Sequence, residues 1–162
     1  MRITTAEPAH WPLIWPFWRD IVRAGDTYTY WPDTDEATAR DMWMLAPPSR
    51  TVVALDDDGR VLGTAKMNRN HMGGGAHVAS ASFMVDPAAQ GRGVGRALSE
   101  YVIDWARAEG YRAIQFNAVV ETNTRAVKLY ESLGFAIAAN LREGFRHPEL
   151  GYVGLLVMYR ML

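Results

Sequence analysis

No cysteine occurs among the 162 residues, so disulfides, thiol nucleophiles and cysteine-ligated metals are all excluded. The chain can sit in a reducing compartment at no structural cost. No charge excess exists either: 17 Lys and Arg balance 18 Asp and Glu, for a net charge of −1. A neutral balance gives no field to draw in nucleic acid or an anionic membrane. No apolar stretch approaches the roughly 20 residues that cross a bilayer, and the start Met1-Arg2-Ile3-Thr4-Thr5-Ala6-Glu7 shows no signal-peptide pattern. These absences lead us to expect a cytoplasmic protein without nucleic-acid or membrane partners. No repeat or low-complexity tract interrupts the chain. Its length predicts one domain over residues 1–162, large enough to bury its own core.

Patterning predicts an α/β domain with the order β-α-α-β-β-β-α-β-α-β-β. Arg2–Thr5 reads as an edge strand. Apolar residues from Trp11 to Val22 recur at helical spacing within about Pro8–Ala24, although Pro12 and Pro16 are awkward there, and Gly25 ends the run. A second helix is predicted from Thr34 to Leu45, capped by Asp33 or Thr34 and stopped by Pro47-Pro48. Thr51–Leu55 and Val61–Asn68 form a hairpin around Asp56-Asp57-Asp58-Gly59. His77–Val85 is a strand, Gly93–Glu109 a helix, Ala113–Val120 a strand and Asn123–Leu133 a helix. Phe135–Arg142 and Tyr152–Met161 close the chain as strands, with His147-Pro148 in the loop between them. Strand and helix alternate between His77 and Leu133, so parallel pairing and a switch-point cleft are expected there. The run Leu155–Tyr159 is almost wholly apolar, predicting a strand covered on both faces and a homodimer contact at that run.

The chemistry concentrates after the strand ending at Asp86-Pro87. Glycines alternate at positions 91, 93 and 95 and lead into an amphipathic helix. Glycine has no Cβ, so an anion can approach the backbone. The first amides of a helix lack internal partners and carry the positive end of its dipole. The two features together make an anion site, to which Arg92 and Arg96 add charge. A dinucleotide fingerprint is excluded because Arg96 stands where its third glycine belongs, and a Walker loop is absent.

Gln90-Gly91-Arg92-Gly93-Val94-Gly95 resembles motif A of the GNAT N-acetyltransferase superfamily, [QR]-x-x-G-x-[GA]. Asn123 to Phe135 resembles its companion, N-x-x-A-x-x-[LF]-Y-x-x-x-G-F, through Asn123, Ala126, Leu129, Tyr130, Gly134 and Phe135. The resemblance implies a mixed, mostly antiparallel sheet with a parallel fourth and fifth strand, flanked by about four helices. It implies acetyl-CoA, with the backbone of Phe83, Met84 and Val85 pairing with the pantetheine arm. The turn from Gln90 through Gly91, Arg92, Gly93, Val94 and Gly95 would hold the pyrophosphate, with Arg96, Asn123 and Ala126 also touching the cofactor. Tyr130 matches the general acid that returns a proton to the departing sulfur, and the Val85 N–H is a candidate oxyanion donor.

The implied activity is acetyl transfer to an amine of a small molecule, an amino acid or analogue. Peptide N-terminal acetylation and a non-catalytic acyl-CoA-binding module are the alternatives. Central strands of many relatives carry a carboxylate, whereas this chain has Ala79-Ser80-Ala81-Ser82. Glu121, Asp26 and His147 are the remaining candidates for the base, beside a water chain. Asn117 sits mid-strand, where an amide is costly unless hydrogen-bonded. The stretch Phe116-Asn117-x-Val119-x-x-Thr122-Asn123 resembles a branch acting on proline analogues, which implies a substrate and catalytic role for Asn117. Tyr28 and Tyr30, in an aromatic loop with Trp31, are candidate substrate-binding residues. His71 and His77 show no further ligand pattern, so no metal is expected.

Overall fold

The computed structural model describes all residues, Met1–Leu162. Seven strands form one sheet in the order β1-β2-β3-β4-β5-β7-β6: β1 (Arg2–Thr5), β2 (Arg50–Leu55), β3 (Val61–Arg69), β4 (Val78–Val85), β5 (Ala113–Val120), β6 (Ala136–His147) and β7 (Gly151–Met161). Every neighbour pair is antiparallel except β4 and β5, the parallel pair expected from the alternation of strand and helix. Four helices flank the sheet: α1 (Trp11–Ala24), α2 (Glu36–Trp43), α3 (Val94–Ala108) and α4 (Thr124–Ser132).

Pro12 fits α1 because it lies in the first turn, where the missing N–H is an orphan anyway, whereas Pro16 stands inside the helix and leaves the Pro12 carbonyl without its usual donor. Its buried face, Trp11, Ile14, Phe17, Trp18 and Val22, packs with Val53, Val61 and Met84 of the sheet and Trp43 of α2. Gly25 ends α1 at φ 69°, a left-handed conformation that glycine adopts without penalty. The second helix is shorter than the sequence suggests and its cap is Asp35, whose carboxylate accepts from the Thr38 N–H at 2.9 Å. Neither expected cap, Asp33 or Thr34, serves: Thr34 turns its hydroxyl back to the Trp31 carbonyl. On the opposite face, α3 buries Val94, Leu98, Val102 and Trp105 against Ala65, Ala79 and Ile114. The contact with β3 is close. A Cβ on Gly63 would stand 2.8 Å from the Met84 carbonyl oxygen and 3.0 Å from a Val94 methyl.

One further expectation changes. The strand β6 runs on to His147, past a register shift between Leu141 and Phe145 where Glu143 takes φ 56°. In sequence, Glu143-Gly144 looks like a turn, but here it is a bulge within a long edge strand. His147 then ends the hairpin by accepting from the Glu149 and Leu150 N–H groups at Nδ1. Of the apolar run of β7, Leu156 and Met158 pack into the main core and Leu155 packs with Val120 and Phe145, while Val157 and Tyr159 stay half-buried. The large apolar side chains left exposed in this region are Ile137, Leu141, Leu150, Tyr152 and Met161. No helix is long and apolar enough to cross a membrane.

Candidate functional site

The sheet splits beside its parallel pair. Strands β4 and β5 are paired only at Val78–Ala113 and Ala79–Ile114. Beyond that point β5 bulges between Phe116 and Val119, which bends it and ends the pairing. The remaining edge of β4 is therefore open. Its polarity follows from the register with β3. The Asp86 N–H bonds to the Leu62 carbonyl, and Val85 lies opposite Gly63. Alternation then turns the N–H and C=O of Ala81, Phe83 and Val85 away from β3 and into the gap. An extended chain entering the gap meets donors and acceptors that no neighbouring strand pairs, as an added strand would.

The open edge leads directly to the glycine turn. Gly91 and Gly93 hold φ 79° and 77°, which bulkier residues adopt only under strain. Gly93 caps α3 with no side-chain hydrogen bond, so the first amides of this 15-residue helix keep their donors free. A cavity of about 750 Å³ joins the gap to this turn. Met84, Val85, Gln90, Gly91, Gly93, Val94, Gly95 and Arg96 of the sequence-based set line it, together with Asn123 and Ala126. Arg92 is exposed and stands outside the cavity wall. Arg125 is a residue that sequence reasoning missed. It lines the cavity from α4 and its guanidinium donates to the Gln90 side-chain oxygen at 3.1 Å, opposite the turn. Only the fold brings position 125 to position 90. Asn123 also has a structural task, capping α4 by accepting from the Ala126 N–H.

Two phenols reach the gap from opposite sides. Tyr130 projects from α4 with its ring 4.7 Å from Phe116 and 5.9 Å from Phe83. Burial alone drives its pKa well above the ordinary tyrosine value, and no protein group hydrogen-bonds its hydroxyl. Tyr28 arrives from the loop after α1, stacked on Tyr30 at 5.5 Å, and its hydroxyl donates to the Phe83 carbonyl in the gap. Burial, and then the Tyr130 and Tyr30 phenols, push its pKa up as well. Both are proton-bearing at neutral pH.

Asn117 stands on the β5 bulge and is exposed rather than buried, so the cost of an enclosed amide does not arise. It lines the cavity and forms a chain, accepting from Gln115 at 2.7 Å and donating to Asn70 at 2.6 Å. Ser80 and Ser82 line the wall beside it. The candidate bases separate clearly. Glu121 is tied to the Gly154 N–H and to the Asn140 amide at 3.0 Å, and these bonds, the backbone one first, hold its carboxyl below the usual range. That makes it a poor proton acceptor, and it does not line the cavity. His147 is spent on the β6–β7 turn. Asp26 does line the cavity, half-buried and with no hydrogen bond or ion pair to the protein.

Comparison with known proteins agrees with this geometry. The family model described as "Acetyltransferase (GNAT) family" matches residues 13–135. A solved GCN5-related N-acetyltransferase from Kribbella flavida superposes with a TM-score of 0.97 at 60% identity, over 99% of this chain and 97% of that one. The yncA putative acetyltransferase of Salmonella typhimurium, solved with acetyl-CoA, shares the fold at a TM-score of 0.84 and 24% identity, over 100% of this chain and 94% of that one. Among curated proteins, N-acetyltransferase aca1 of Schizosaccharomyces pombe is 28% identical over 107 residues, 65% of this chain and 51% of its own length. The chain thus spans about half the length of that relative.

Proposed function

Because the chain belongs to the acetyltransferase (GNAT) family, we propose that it transfers the acetyl group of acetyl-CoA directly to an amine of a small molecule. Members of the family use acetyl-CoA as donor, and the cavity fits it on grounds of its own. The open edge of β4 suits the amide-bearing pantetheine arm, and the uncapped start of α3 suits a pyrophosphate. Arg96, in the first turn of α3, and Arg125, bonded to Gln90, both line the cavity beside that turn. When bound, the cofactor supplies an acetyl group activated as a thioester.

The protein's own residues do the rest. The N–H groups of Phe83 and Val85 face the gap, fixed by the β3 register, and either can meet an oxygen that gains negative charge. Val85 was the donor the motif suggested; the register adds Phe83. Tyr130 keeps its proton at neutral pH and has no competing partner, so it is free to donate to the sulfur as the C–S bond breaks, and the proton that the amine loses on forming the C–N bond, passed through solvent, restores the phenol. Tyr28 and Tyr30 form the apolar wall on the acceptor side, with Asn117, Ser80 and Ser82 as polar contacts. The observation that carries this reading is the Tyr130 phenol, unpartnered in the gap that runs from the free β4 edge to the α3 amides.

A thiol-release assay with acetyl-CoA and a panel of small amines, amino acids and short peptides tests it. Turnover on small amines is expected. Turnover on peptides alone would favour N-terminal acetylation, and binding of acetyl-CoA without turnover on any amine would make the chain an acyl-CoA-binding module.

A further inference from the structure

The charged residues of the cavity are segregated. Arg96 and Arg125 come from α3 and α4, on one face of the sheet, and the carboxylates of Asp20 and Asp26 come from α1 and the segment after it, on the other. Asp20 is committed to Arg19 at 2.9 Å. Asp26 is not committed to anything. Its position is also unfavourable for the fold: it follows Gly25 at the C-terminal end of α1, where the helix dipole repels an anion. A half-buried carboxylate without a partner, at the wrong end of a helix, does not stabilise the free protein.

Two cations lie near the acceptor wall, and neither lines it: Arg23, three residues before Asp26, is exposed outside the cavity, and Lys66 is turned away. Lys66 donates to the Met42 carbonyl at 2.8 Å, at the C-terminal end of α2, and is covered by the Tyr30 and Trp43 rings at 5.5 and 5.3 Å. It does not line the cavity. The wall on the acceptor side therefore presents an incoming amine with one free negative charge and no positive one.

We infer that Asp26 is a specificity-determining residue that captures the acceptor as its ammonium ion, and that the acceptor carries no free carboxylate. The substrate class is a small amine, such as an amino-acid amide or ester or a simple alkylamine, rather than an amino acid itself. A free α-carboxylate would stand a bond or two from the ammonium, facing Asp26 with no cation to answer it. This rests on the acetyltransferase reading above and narrows it.

The test uses L-leucinamide and L-leucine, which differ in that carboxylate. Calorimetric titration of each into the CoA-loaded protein should show leucinamide binding at least about tenfold more tightly. Asp26→Asn should weaken leucinamide by about five- to tenfold, leave acetyl-CoA affinity unchanged, and largely erase the difference between the two ligands. Equal or tighter binding of leucine, or an Asp26→Asn variant that still discriminates, overturns the inference. Calorimetry needs no turnover. A failure to release thiol from acetyl-CoA with any amine would sink the proposed function, while the titration would still decide the charge preference.

Discussion

At the residue scale, Tyr130 and Glu121 show how surroundings assign a role. Burial raises the pKa of the Tyr130 phenol without giving it a partner, which keeps the proton in place and leaves it free to move. Tyr130→Phe should lower kcat by about 10²-fold or more while acetyl-CoA affinity stays within about twofold. Steady-state kinetics beside a binding titration will check this, and unchanged turnover would remove Tyr130 from the chemistry. Glu121 is the opposite case. Its hydrogen bonds stabilise the carboxylate, so its folded pKa lies below the unfolded one. The resulting stability is fully present above the unfolded value and is lost as pH falls through the folded one. Glu121→Gln should therefore lower the melting temperature at pH 7, with the difference from the parent shrinking below about pH 4. Melts across that range measure it.

At the element scale, the seating of α3 against β3 sets where the β4 edge lies. No side chain fits at Gly63, because the first obstacle is the Met84 backbone. Gly63→Ala should cost about 1–3 kcal/mol and also weaken acetyl-CoA, since the strain falls on the strand that lines the gap. Chemical denaturation and a binding titration should both respond.

What could be read in advance also follows element boundaries. The glycine turn was legible because positive φ at 91 and 93 is a backbone demand that sequence states directly. The α4 motif was legible for a similar reason, with its Asn123 cap and the φ 85° glycine at 134 marking both ends. The bulge that opens β5 was not, since no residue from Phe116 to Val119 is a glycine or proline and only the pairing with β7 exposes it. The length of β6 was hidden for the converse reason, because its bulge uses residues that usually make turns. Arg125 and the role of Asp26 needed tertiary structure: one is an ordinary helix residue in sequence, and the other was one of three candidate bases that only the cavity wall separates.

At the scale of the whole molecule, the cavity lies along the join between two half-sheets, β1–β4 and β5–β7. A ligand lying there binds the folded state alone. Acetyl-CoA at about 100 times its Kd should stabilise the protein by about 2.7 kcal/mol, visible as a rise in melting temperature. Pantetheine without its nucleotide should give a smaller rise, because it leaves the α3 amides empty. An equal rise for both would place the pyrophosphate elsewhere.

The two rungs shared by β4 and β5 have one more consequence. Amide hydrogens of Phe83 and Val85 sit mid-sheet yet have no acceptor on a neighbouring strand, so in the empty protein they should trade for deuterium far faster than those of Met84, bonded to β3. Loading with acetyl-CoA should slow that exchange sharply, for the cargo itself then serves as mortar between the halves of the sheet.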